Sequence, residues 1–487
     1  MSYGCQQDRL RLDCFEQRVI EYLCRQANSL ANCAIYALKR SSRQASQVDF
    51  NYYDLDKHLK QNKHYKCLFS QVAQQTLISV CESFKSHHGV MQLWYQGKLE
   101  NKPKMPRYRK SGGVSGFTYP AQHLSLNEAV ETGLIRLPLG AEIGKLEGVK
   151  EIYIPAPKNI HPEQIKEVRI FPRNRCFYVE WVYHRDVKEY QLNPRKALGI
   201  DPGVKNWLTC VSNQGDSFII DGKKPNFWNR TLNRELAKRN RGYWSSKLAL
   251  MTEKRNRRMR DYINKAARTI ANYCIDSGIG TVVLGWNQGI KQKSNMGKRN
   301  NQNFVQLPTA RLKERLKVVL TEAGVNFVET EESYTSKASF LDGDDLPQRV
   351  SADRRRRAAA PNGATSLLGT WCEAPPQIVR GECPRVCGAN MNAFGVRRRL
   401  ATFSKSRTTG ARCACFGEKP EGWKASGKRT TTKLYRTAKG WIVNADCNGA
   451  ANILKKVASI LDLDLSEITR GSVTCPIRLN LYDSVSV

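Results

Sequence analysis

Acidic residues are scarce in this chain: 44 Asp and Glu stand against 79 Lys and Arg, leaving a net charge of +35 over 487 residues. An ordinary metabolic enzyme has no use for such an excess, which points instead to a polyanionic partner. No run of about 18 uncharged apolar residues occurs, so no membrane-spanning helix is expected. The first residues lack a basic segment followed by an apolar one, which speaks against a secretory leader and for a soluble, cytoplasmic protein. Paired cysteines are also missing where they would matter. Of 16 cysteines, Cys14, Cys24, Cys33, Cys67 and Cys81 fall singly in helical-looking segments, where a free thiol acts as a small apolar residue, as a reducing compartment allows. Neither a zinc finger nor a helix-turn-helix signature is evident.

What is present is a folded, multidomain chain. Hydrophobic residues make up 40%, too many for wholesale disorder, and the length allows roughly two to four domains. From Glu16 to Leu38, the residues Val19, Leu23, Ala27, Leu30, Ala34 and Leu38 form the stripe of an amphipathic helix, and helical pattern continues from about Tyr53 to Tyr95. Proline and basic residues then alternate from Lys102 to Arg109 and exclude helix. Val168 to Phe171 and Cys176 to Tyr183 flank the turn-like Pro172 to Arg175, which predicts a hairpin. Residues 1–15 and 96–195 thus read as a β-domain, expected to be a barrel, with the helices of 16–95 inserted. Positive charge is spread along most of the chain, favouring a long nucleic-acid channel over a membrane patch.

A buried strand ends in a carboxylate at Gly199-Ile-Asp201-Pro-Gly-Val, and a second acid precedes a helix in Asp446-Cys-Asn448-Gly-Ala-Ala-Asn452. Singly, Asp201 could serve a turn and Asp446 an N-cap. Opposed in one folding unit of a basic protein, they suit Mg²⁺, whose hard shell prefers oxygen; two such ions about 4 Å apart serve phosphodiester hydrolysis by activating water and stabilising the leaving oxygen.

Taken in order, Gly199 to Val204, Tyr334-Thr-Ser-Lys337 and Asp446 to Ile453 resemble the RuvC-like nuclease motifs of the TnpB family, also called OrfB, the insertion-sequence-encoded relatives of type V CRISPR effectors. The resemblance covers nearly the whole chain outside an Arg-rich stretch, and Lys102 to Arg109 is similar to that family's proline-basic segment. It implies an α+β multidomain protein: an RNase H-like (RuvC) nuclease domain formed by 196–347 and 417–487, the latter including the C-terminal tail, and a wedge-like barrel carrying a helical recognition lobe. The activity it implies is RNA-guided, Mg²⁺-dependent cleavage of double-stranded DNA beside a short motif. A guide RNA from the element's end, two Mg²⁺ ions and a monomeric, prokaryotic protein, nucleoid-associated when on DNA, complete the expectation. Such proteins are commonly named transposases, although a transposase centred on a tyrosine such as Tyr334 is not the favoured reading.

Asp201 matches the family's first metal-binding acid and Asp446 the third. At the second the chain departs, with Gly285 where the family usually places Glu. Glu332, ending the next strand, is the expected replacement, since adjacent strand ends lie about 5 Å apart; Glu331 should point to the other face. Failing that, the protein would be a nuclease-inactive, RNA-guided DNA-binding protein acting by occupancy. The family's zinc ribbon is also altered: Ser339 and Asp342 stand where the first cysteine pair belongs. Between Gln348 and Phe416 lie 12 Arg and one Lys without period, read as an insertion spanning 348–416. Its Cys383, Cys387, Cys413 and Cys415 lack the usual knuckle spacing, so structural zinc is not expected. Lys102, Lys104, Arg107, Arg109, Arg255, Arg257, Arg258 and Arg260 are the expected phosphate contacts, with Asn287, Asn300, Asn301, Gln302 and Asn303 as neutral partners near the acids.

Overall fold

The computed structural model describes residues 2–44, 51–185, 189–238, 245–287, 306–347 and 422–482. Strand β1 (Ser2–Arg9) leads into α1 (Cys14–Gln44), which buries the predicted stripe from Val19 to Leu38. The helical pattern from Tyr53 onward is divided into α2 (Tyr52–Leu59), α3 (Lys63–Lys66) and α4 (Ser70–Tyr95). Asn51 and Asn62 cause the first two starts, each accepting the amide two residues ahead, the N-cap geometry that stops a helix from continuing backwards. Helices α1 and α4 share one core with the strands that follow.

Those are β2 (Phe117–Pro120), then α5 (Leu126–Thr132), β3 (Leu134–Pro138), α6 (Ala141–Glu147), β4 (Glu151–Pro155), β5 (Ile165–Arg173) and β6 (Cys176–Arg185). The predicted hairpin is β5–β6. Its two turn residues, Asn174 and Arg175, take φ of 47° and 61°, the left-handed pair whose twist matches the flanking strands. The expected barrel is corrected: β1-β6-β5-β2 form an open antiparallel sheet, and β3–β4 pair apart from it. Four strands are too few to close around a packed interior, and α5 and α6 break the run that would supply more.

The second unit comprises β7 (Asn193–Pro202), β8 (Asn206–Ser212), β9 (Ser217–Asp221), α7 (Lys223–Ala237), α8 (Ser246–Asp276), β10 (Ile279–Gly285), α9 (Thr309–Glu322) and β11 (Asn326–Thr330). After the stretch containing the Arg-rich segment come β12 (Lys428–Arg429), β13 (Leu434–Arg436), β14 (Ile442–Asn444), α10 (Ala445–Leu461), α11 (Arg470–Thr474) and β15 (Ile477–Leu479). Six of these strands form a sheet ordered β11-β10-β7-β8-β9-β15. Strands β7, β8 and β9 are an antiparallel meander, and β10 and β11 add in parallel beside β7. Parallel strands must be covered on both faces. Leu198, Ile200, Val282 and Leu284 pack with α8 and α9, whereas Ala197 and Val283 pack with α10. Strand alternation therefore puts Asp201 and Gly285 on the α10 side, at the carboxyl ends of two neighbouring parallel strands. Helix α10 approaches so closely that a Cβ on Gly199 would stand 2.6 Å from the carbonyl oxygen of Ala450.

Candidate active site

Asp201 ends β7 and lies against α10, its Oδ2 only 2.7 Å from where a Cβ on Gly449 would be. Gly449 follows Asp446 by three residues, so one helical turn presents both a carboxylate and the gap that admits another. Asp446 is not the N-cap. Asn444 takes that role, accepting the amides of Asp446 and Cys447, and leaves the Asp446 carboxylate free to engage Asn206 Nδ2 at 2.7 Å and Arg429 Nη2 at 2.9 Å.

Gly285 lies beside these groups, and its missing side chain has a spatial counterpart. A Cβ on Gly285 would sit 2.7 Å from Glu332 Cγ, 3.1 Å from Glu332 Oε1 and 2.5 Å from Ile453 Cδ1. The Glu332 side chain lies over Gly285 and fills the space a residue there would use. Asn287 holds it twice, accepting from the Glu332 amide at 3.2 Å and donating to Oε2 at 3.4 Å. Lys456 on α10 donates to the carbonyl of Glu331 at 2.8 Å.

Burial pushes the Asp201 carboxyl well above the usual carboxylate range, and the charges of Glu332 and Asp446 push it further, against Arg429. Burial likewise raises Glu332 to about 7, with Lys456 pulling the other way. Lys456 is itself lowered by burial, while Glu331 and Glu332 oppose that shift. Among the described residues, no three His, Cys, Asp or Glu side chains stand close enough to hold a metal as they lie, and Asp446 is engaged by Arg429 and Asn206 instead. The donor chemistry nonetheless fits a hard cation: the converging donors are carboxylate oxygens, and burial makes Asp201 and Glu332 costly to ionise without positive charge.

Other parts of the motifs brace this centre. Asn448 donates to the Ala338 carbonyl at 2.7 Å and accepts from the Phe340 amide at 2.9 Å, and Asn452 donates to Thr335 and Ala338, each at 2.9 Å. Both are fully buried and tie the stretch from Thr335 to Phe340 to α10. Tyr334, at φ 68°, marks the sharp turn that starts this segment after Glu332. Ser339 and Asp342 make hydrogen bonds: Asp342 Oδ2 accepts from Ser426 Oγ at 3.1 Å and the Ala438 amide at 2.7 Å. Cys383, Cys387, Cys413, Cys415, Asn300, Asn301, Gln302 and Asn303 lie outside the described residues. Sequence reasoning missed Asn206, Arg429 and Lys456, which carry no signal until the chain is folded, and gave no role to Gly449, which stands inside the quoted motif.

The expected phosphate contacts divide into two groups. Lys102, Lys104, Arg107, Arg257 and Arg258 are exposed. Arg109 instead donates to Ser115 Oγ at 2.8 Å, with its amide held by Asn32 at 2.7 Å, and burial lowers its pKa. Arg255 grips Asn229 Oδ1 through two nitrogens at 2.9 and 2.5 Å. Arg260 lies 3.5 Å from the buried Glu253, which also accepts from Tyr178 OH and Asn174 and so joins α8 to the β5–β6 hairpin. No helix among the described residues is long and apolar enough to cross a membrane.

Residues 180–291 match the model of the OrfB_IS605 family, described as a probable transposase. That segment runs from β6 just past β10 and includes Asp201 and Gly285, in agreement with the family resemblance read from the sequence. A comparison with curated proteins found no match. Among solved structures, the chain is similar to a Cas12f1–sgRNA–target DNA complex, with a TM-score of 0.44 and 14% identity over 72% of this chain and 80% of that one. A CRISPR-Cas12f ternary complex follows, with a TM-score of 0.27 and 15% identity over 70% of this chain and 76% of that one.

Proposed function

We propose, from its kinship with the TnpB (OrfB) family, that this chain is an RNA-guided DNA endonuclease whose catalytic carboxylates are Asp201, Glu332 and Asp446. The observation that carries this reading is the overlap between Glu332 and the side-chain space of Gly285: the acid absent from β10 is supplied from beyond β11, at the same place. The strand order, a three-stranded meander flanked by two parallel strands, supports an RNase H-like nuclease unit. The net charge of +35 supports a nucleic-acid partner, here guide RNA and double-stranded DNA.

Asp201, Glu332 and Asp446 would hold Mg²⁺, which when bound supplies positive charge at a scissile phosphodiester and lowers the pKa of water. The protein's own share is positional. Asn287 orients Glu332, Gly449 leaves room for Asp201, and Asn206 and Arg429 hold Asp446. Exposed Lys104, Arg107 and Arg257 would take backbone phosphates, while base pairing with the guide reads sequence.

The test is cleavage of a target plasmid by the purified ribonucleoprotein in Mg²⁺, comparing wild type with Asp201→Ala and Glu332→Ala. Cutting by wild type and by neither variant is expected. If none cuts yet all retain guide-dependent target binding, the protein acts by occupancy and the endonuclease reading fails.

A further inference from the structure

Outside the acid centre, α7 and α8 enclose a slot of about 220 Å³. Phe227, Trp228, Leu232 and Met251 form its apolar walls, and Lys254 and Arg258 stand at its rim. Phe227 is 59% exposed, so its ring is open to a ligand from the slot side. Arg258 lies 5.9 Å over the Trp228 ring. A second groove, of about 600 Å³, opens from the same Trp228 and is bordered by Lys224, Arg257 and Arg258. Among the described residues no ion pair engages Lys254, Arg257 or Arg258, and the one acid in that groove, Asp261, is 3.4 Å from Lys265.

Flat aromatic walls next to unneutralised cations suit a ligand with a π-face and an attached anion. A nucleotide that has left its stack has both. Duplex does not, because its bases are covered by their neighbours and only its phosphates are on offer. The slot opens on the α7–α8 side of the sheet, whereas Asp201 and Gly285 face α10, so a nucleotide held here is not the one presented to the acids. We infer that the α7–α8 slot binds an unpaired nucleotide of the guide RNA, with Phe227 and Trp228 stacking the base and Arg257 and Arg258 holding its flanking phosphates. This rests on the RNA-guided reading above.

The experiment is fluorescence anisotropy with the full-length protein and three labelled probes: unstructured single-stranded RNA, single-stranded DNA of the same sequence, and blunt RNA duplex. Phe227→Ala is expected to weaken binding of the single-stranded RNA about tenfold, with the salt slope and the duplex affinity unchanged, since stacking and not charge is lost. Phe227→Tyr should restore affinity. Arg258→Gln should instead flatten the salt slope by about one. Phe227 is exposed on a helix, where Ala has the higher propensity, so the variant should fold; a thermal melt checks this. Equal loss on duplex and single strand, or no loss on any probe, overturns the proposal, and so does a loss confined to DNA. If wild type binds no RNA at all, the RNA-guided reading falls too; if wild type binds RNA and cuts under guidance while Phe227→Ala behaves identically, only the slot fails.

Discussion

The two faces of the six-stranded sheet use the same strands in opposite ways. Toward α8 and α9, β7 and β10 present Leu198, Ile200, Val282 and Leu284, which join one buried apolar core with those helices. Toward α10, the same strands present Gly199, Asp201, Val283 and Gly285. There, removed side-chain volume is the working feature. Gly199 lets a helix backbone come close, and Gly285 lets the side chain of Glu332 in. Burial on one face yields stability; on the other it raises the cost of ionising Asp201 and Glu332.

Breaking that division should have its largest effect at Gly285. Gly285→Ala places a Cβ against Glu332 and Ile453 and should lower plasmid cleavage about a hundredfold, the scale of an ångström-sized misplacement, at a stability cost of about 1–3 kcal/mol. Leu316→Ala on the opposite face should do the reverse, costing about 2–5 kcal/mol in urea unfolding while cleavage per folded molecule stays near wild type. Equal activity losses in both variants would erase the contrast between the faces.

The raised carboxyls make a second contrast, in pH. Glu332 titrates near 7 in the folded chain against its usual 4.5, so the folded state holds the proton more tightly than the unfolded one. That contribution to stability is complete below the usual value and is lost as pH rises through about 7. In EDTA, unfolding free energy should therefore fall across this window, by about 3 kcal/mol at most, and Glu332→Gln should flatten the profile. Mg²⁺ added above pH 7 should raise the unfolding midpoint of wild type more than that of the variant.

Smaller effects sharpen the picture. Asn287→Ala frees the Glu332 carboxylate from its hydrogen bond and should lower cleavage about tenfold and raise the Mg²⁺ concentration for half-maximal rate, with guide RNA binding unchanged. Lys104→Ala and Arg107→Ala should each reduce the salt slope of nucleic-acid binding by about one. Arg255→Ala should leave that slope alone and lower the melting temperature, because its guanidinium is engaged by Asn229.

Much of this was legible before folding. The stripe from Val19 to Leu38, the β5–β6 hairpin, the strand ending at Asp201 and the helix following Asp446 depend on local periodicity and turn chemistry, which a sequence displays directly. The basic residues were legible only as charge. Their sequence neighbourhoods do not distinguish Arg257, exposed to solvent, from Arg260, drawn toward a glutamate that also binds a tyrosine and an asparagine of another unit. Asn448 and Asn452 were visible as a motif, yet their work of clamping the stretch from Thr335 to Phe340 depends on a segment far away in the chain. The barrel was expected because strand patterns say nothing of how many strands end up paired.

What the sequence by itself determined is the excess of positive charge, the family resemblance and two acids set at the ends of apolar patterns, because charge, apolar period and motif order survive in one dimension. What only the tertiary structure decided is the relation between a missing residue and a present one. Gly285 reads along the chain as a loss, and only the parallel register of β10 and β11, with α10 pressed over them, brings Glu332 into the space it leaves. Occupied volume is a property of contacts between distant segments, and no local pattern encodes it.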